Sequence, residues 1–126
     1  MKKILIVDDD GDVLQMLGKR LTTSGYSVIT ANNGEDAIGL ALLQHPDIII
    51  LDVLMPDMEG EEVAAKLRGY SRTKDVPVIF ITALFSKTEG EKYSSKADGK
   101  IVFVKPLDTE KLLEQIKKLL GIATVL

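Results

Sequence analysis

Cysteine is missing from the chain altogether, which excludes disulfides, thiolate catalysis and Cys-ligated zinc or iron–sulfur sites. Positive charge is not in excess either. The formal net charge is −3, and no Lys/Arg stripe is evident to neutralise phosphates, so there is no electrostatic case for nucleic acid. Long apolar runs are absent, and no segment approaches the length of a membrane span. Met1-Lys2-Lys3 resembles the start of a signal peptide, yet the apolar run behind it ends in acids before it can act as a hydrophobic region. Internal repeats and low-complexity tracts are also lacking. What remains is a chain of 126 residues, 45% hydrophobic and 28% charged, which is the composition of one soluble globular domain with a real core. A reducing, cytoplasmic setting is the simplest consequence.

The first apolar run, Ile4-Leu5-Ile6-Val7, stops at Asp8-Asp9-Asp10. Four aliphatic residues in a row predict a strand buried on both faces, with the acids at its carboxyl end. Open parallel sheets bind ligands at that end. Adjacent carboxylates repel one another and are costly to bury unpaired, so a cation is the cheapest way to hold them together. The stretch therefore reads as half of a metal site. A second reading, that Asp8 to Asp12 only cap and charge the following helix, is open on these residues alone.

Along the chain, Val13, Leu14, Leu17 and Leu21 predict a helix over 12–24 that stops at Ser24-Gly25. A short strand over 26–31 follows, then the turn Asn32-Asn33-Gly34 and a helix carrying Ala37, Ile38, Ala41 and Leu42. His45-Pro46 ends that helix, because a residue before proline disfavours the helical conformation. His45, the single histidine, reads as a solvated helix-end residue and not as a base. Ile48-Ile49-Ile50-Leu51 is a central strand with Asp52 at its tip, and a helix through Glu62, Val63, Ala64, Leu67 and Arg68 ends at Gly69. Val76 to Thr82 is a fourth strand with Pro77 at its start, where a missing N–H is tolerated. Ser86-Lys87-Thr88-Glu89 fits a capping box, but Gly90, Ser94 and Ser95 leave a poor helix behind it. Ile101-Val102-Phe103-Val104 is the fifth strand, and Asp108 caps a last helix carrying Leu112, Leu113, Ile116, Leu119 and Leu120 up to Gly121.

Five strands alternating with five helices predict an α/β domain with a parallel sheet, right-handed crossovers and helices on both faces. The strand tips then present Asp8-Asp9, Asp52, Thr82 and Lys105 on one edge of the sheet. With strand order 2-1-3-4-5, the first and third strands are neighbours and Asp8, Asp9 and Asp52 share a pocket. Oxygen ligands of this kind suit a hard cation such as Mg²⁺. A carboxylate can also accept a phosphoryl group, with the Lys105 ammonium and the Thr82 hydroxyl stabilising its oxygens. Each residue taken singly has a plain structural explanation; their joint occurrence at four strand tips favours the site.

At this point the chain resembles the receiver domain of two-component response regulators. The matching motifs are Ile-Leu-Ile-Val-Asp-Asp-Asp at 4–10, Asp-Ile-Ile-Ile-Leu-Asp-Val-Leu-Met-Pro-Asp at 47–57, Pro-Val-Ile-Phe-Ile-Thr-Ala at 77–83 and Val-Lys-Pro at 104–106. The resemblance implies a flavodoxin-like fold and a receiver domain over 1–121, with 122–126 a tail or the start of a linker. It implies that Asp52 accepts a phosphoryl group from a histidine kinase or histidine phosphotransfer protein, and that a downstream protein target reads the result. By the same carry-over Asp9, Asp52 and the Leu54 carbonyl bind Mg²⁺ directly, Asp8 helps through water, Thr82 and Lys105 contact the phosphoryl group, and Lys105-Pro106 is a cis peptide. Such a domain catalyses its own phosphorylation and dephosphorylation without being a conventional enzyme. Its last helix is a plausible homodimer surface on phosphorylation.

Two positions depart from the family pattern. Val102 stands where the family carries Tyr or Phe, and Phe103 is one residue off, on the opposite side of its strand. Leu54 and Leu84, two residues after Asp52 and Thr82, are apolar where the family tunes acyl phosphate hydrolysis, which implies a long-lived phosphorylated state. The competing function is a receiver-like interaction module that takes no phosphate. A flavodoxin proper needs an N–H-presenting loop after the first strand and meets an acidic one instead. A phosphatase with a D-x-D acid pair meets Leu54 at the second acid.

Overall fold

The computed structural model describes residues 1–83 and 100–121. The helix expected from Ser86, Leu84 and the tail 122–126 lie outside the described residues. The strands are β1 (Lys3–Val7), β2 (Ser27–Ala31), β3 (Ile48–Asp52), β4 (Val78–Thr82) and β5 (Ile101–Val104). They form one sheet in the order β2-β1-β3-β4-β5 with every pairing parallel, as the alternating pattern predicts. The helices are α1 (Gly11–Thr23), α2 (Gly34–Gln44), α3 (Gly60–Arg68) and α4 (Thr109–Leu119).

Side chains alternate across the sheet, and the two sets form two cores. Ile4, Ile6, Ile48, Ile50, Ile79 and Ile81 pack against Leu17 and Leu21 of α1 and Leu112 and Ile116 of α4. Leu5, Val7, Ile49, Leu51 and Phe80 pack on the other face against Ala37 and Ala41 of α2 and Val63 and Leu67 of α3. Central β1 and β3 are therefore buried on both sides, which is why their sequences run apolar without alternation.

The helix ends follow local chemistry. Asp10 caps α1 by accepting from the Asp12 N–H, Asn33 caps α2 by accepting from Asp36, and Asp108 caps α4 by accepting from Lys111. Gly25 and Gly121, just past α1 and α4, have φ of 97° and 66°, the left-handed region that glycine enters without a Cβ penalty. His45 closes α2 in the same region with φ 52°, exposed to solvent. Two helices start earlier than their apolar residues indicate, α2 at Gly34 and α3 at Gly60, because glycine carries no hydrophobic signal. Gly60 is required by packing: a Cβ there would run into the Asp52 carbonyl oxygen. Among the described residues, no helix is long and apolar enough to cross a membrane.

Candidate functional site

All the strand-tip residues singled out in the sequence arrive at the carboxyl edge of the sheet. β1 ends one residue before Asp8, whose backbone N–H still donates to Ala31 of β2, so its position is fixed by the sheet. Asp52 is the last residue of β3, and Thr82 the last of the neighbouring β4. The β3/β4 register pairs Asp52 with Ile81, so Thr82 stands one residue beyond it on the next strand. Lys105 follows β5, with its N–H donating 2.7 Å to the Thr82 carbonyl and a cis peptide bond to Pro106.

The side chains converge. Carboxylate oxygens of Asp8, Asp9 and Asp52 lie within 4.8 Å of one another, Asp8 and Asp52 buried and Asp9 exposed. The Lys105 ammonium bonds Asp8 Oδ2 at 2.8 Å and lies 3.7 Å from Asp52 Oδ2. Both readings of the acidic run are realised, by different residues: Asp10 caps α1, while Asp8 and Asp9 join the cluster.

One cation does not neutralise three carboxylates. Burial, and then the charge of Asp8, pushes the Asp52 carboxyl up to about 7, although Lys105 and the Leu54 N–H, which donates 3.3 Å to Oδ1, pull the other way. For Lys105, burial works against the charged form, but the bond to Asp8 and the fields of Asp52 and Asp8 outweigh it, and its pKa is raised. Thr82 supplies the other unsatisfied group: its hydroxyl is fully buried and has no hydrogen-bond partner among the described residues. Oxygen donors at this spacing, short of positive charge, fit a hard divalent cation. An adjoining buried hydroxyl and an ammonium fit the oxygens of an anion. A surface groove of about 690 Å³ lies elsewhere, between α1, β2 and α2; a small tetrahedral group at strand tips needs no deep cavity.

The profile of the response regulator receiver domain matches residues 4–117. The chain belongs to that family. The receiver is 37% identical over 123 residues to the DNA-binding dual master transcriptional regulator RpaA of Synechocystis, covering 95% of this chain and 49% of that protein. It spans about a quarter to a half of the length of the curated relatives it matches. Among solved structures, chemotaxis protein CheY4 of Vibrio cholerae superposes with a TM-score of 0.81 at 35% identity, over 94% of this chain and 98% of that one. Response regulator TrrA of Thermotoga maritima, solved in complex with Mg²⁺–BeF, gives 0.80 at 34% identity over 94% and 99%.

Sequence reasoning named the acids, the hydroxyl and the ammonium of the receiver, and missed what holds the loop between β3 and α3. That loop closes on itself through Gly60 N–H to Val53 O at 2.8 Å, and Val53 N–H donates to Ile81 O at 2.9 Å. Asp57 at its tip accepts from Gly34 and Glu35 at the start of α2, partners 23 and 22 residues upstream that no local pattern announces.

Proposed function

We propose that this receiver is the phosphoacceptor of a two-component phosphorelay. In this reading a histidine kinase or histidine phosphotransfer protein donates a phosphoryl group to Asp52, with Mg²⁺, and binding to a downstream protein changes as a result. The observation that carries it is the Lys105 ammonium, 2.8 Å from Asp8 and 3.7 Å from Asp52, beside three converging carboxylates.

An Asp52 oxygen attacks phosphorus, the P–N bond of the phosphohistidine breaks, and imidazole leaves with the electron pair, giving an acyl phosphate. Lys105 and the Thr82 hydroxyl, which has no hydrogen-bond partner among the described residues, take the phosphoryl oxygens. Asp9, Asp52 and the Leu54 carbonyl would hold the metal, with Asp8 assisting beside them. Bound there, Mg²⁺ supplies the positive charge that lets Asp52 ionise and offsets charge on the transferring group. Water attack on phosphorus later restores the carboxylate and releases inorganic phosphate. Leu54, 54% exposed and two residues after Asp52, offers no polar side chain to order that water, so the phosphorylated state is long-lived.

Incubation with acetyl phosphate and Mg²⁺, followed by peptide mass spectrometry, is expected to find the phosphoryl group on Asp52. No label is expected in Asp52→Asn or after Mg²⁺ is chelated. Label on another residue, or labelling indifferent to Mg²⁺, overturns the reading. A silent interaction module would place no constraint on Asp8, Asp9, Asp52, Thr82 and Lys105 together, and all are present.

A further inference from the structure

We infer that Asp57 is a positioning residue for the metal side of the site, holding the β3–α3 loop in register by tying its tip to the first turn of α2. The inference rests on the phosphoacceptor reading above and concerns how the Leu54 carbonyl is kept in place.

Residues 53–59 form the connection that would supply a metal ligand from the backbone, and a backbone ligand has no rotamer of its own. Its position is set by whatever fixes the loop. The base of the loop is fixed through Val53, Gly60 and the close approach of Gly60 to the Asp52 carbonyl. The far end is fixed by Asp57, whose Oδ1 and Oδ2 accept from the Gly34 N–H at 3.1 and 3.0 Å, with Oδ2 also accepting from Glu35 at 3.3 Å. Beside it Met58 packs so closely on Gly34 that a Cβ there would come within 2.9 Å of the Met58 Cβ.

Asp57 is exposed, so its role is not core packing. Nor does α2 depend on it for a cap, since Asn33 Oδ1 already accepts from Asp36 at 2.8 Å. What Asp57 adds is a charge-assisted tie between elements distant in sequence. The Gly34 N–H chief among its partners, despite an opposing desolvation contribution, holds its carboxyl below the usual carboxylate range.

The test compares wild type, Asp57→Ala, Asp57→Asn and Asn33→Ala by calorimetric Mg²⁺ titration and by acetyl phosphate labelling at saturating Mg²⁺. Asp57→Ala is expected to weaken Mg²⁺ binding roughly tenfold, as loss of a group orienting a metal ligand does, with labelling at saturating Mg²⁺ within about twofold of wild type. Asp57→Asn, which keeps one acceptor oxygen, falls between. Asn33→Ala removes a cap from the same helix and is expected to lower the melting temperature while leaving Mg²⁺ affinity unchanged. Mg²⁺ binding by Asp57→Ala equal to wild type, or equally weakened in Asn33→Ala, overturns the inference alone. A wild-type protein that binds no Mg²⁺ overturns the phosphoacceptor reading and this inference together.

Discussion

At the scale of single residues, Asp52 is the group whose needs conflict most. In the proposed reaction it must be ionised to attack phosphorus, yet it is only 4% exposed and faces Asp8, and its pKa is pushed up to about 7. A carboxyl whose folded pKa lies above its unfolded value of 3.8 carries no penalty below the latter. The penalty grows as pH rises between the two values and is complete above about 7. Metal-free Asp52→Asn is therefore expected to be more stable than wild type at pH 8, by about 2 kcal/mol, and to lose that advantage towards pH 4. Urea unfolding of both proteins across this range, in the presence of a chelator, checks it; an advantage that does not shrink on acidification contradicts the assigned cause.

Among elements, β5 shows how one residue of register decides which core a side chain joins. Phe80 pairs with Val102 and Thr82 with Val104, so Val102 shares the face of Thr82. Val102 accordingly packs with the α2/α3 core, and Phe103 points to the α1/α4 core. The aromatic side chain cannot take the family's place beside Thr82 by a rotamer change, because it lies across the sheet. Phe103→Ala is expected to cost about 2–3 kcal/mol of stability, while Val102→Ala costs about 1 kcal/mol and leaves acetyl phosphate labelling within twofold. Chemical denaturation and the labelling assay measure the two outcomes. Failure of Val102→Ala to take label would show that this small side chain is required for the reaction itself.

Across the whole molecule, the two cores pin the strands from both faces, and the tips are where buried apolar packing gives way to charge. A ligand that binds only the folded arrangement of those tips must stabilise the entire fold. Mg²⁺ at ten times its dissociation constant is expected to add about 1.4 kcal/mol, raising the melting temperature by about 5 °C. Asp52→Asn is expected to show less than half that rise, since it removes a ligand and the charge that needs neutralising. Thermal unfolding with and without the cation gives the comparison. Equal rises in both proteins would place the ion elsewhere.

The apolar runs 4–7 and 48–51, closed by acids, specify strands and their polarity, because residues buried on both faces need no alternation and a charged residue ends the burial. The strand order is what the family resemblance implies, and from the pattern itself follow the sheet and the gathering of Asp8, Asp9, Asp52, Thr82 and Lys105 at one edge. These are consequences of local pattern and chain topology, and so are legible along one dimension. The identity of the residue bonded to Lys105, the orphaned hydroxyl of Thr82, the need for glycine at 60 and the tie from Asp57 to Gly34 are not. Each depends on distances of a few ångströms between segments remote in sequence, which only the packed fold sets.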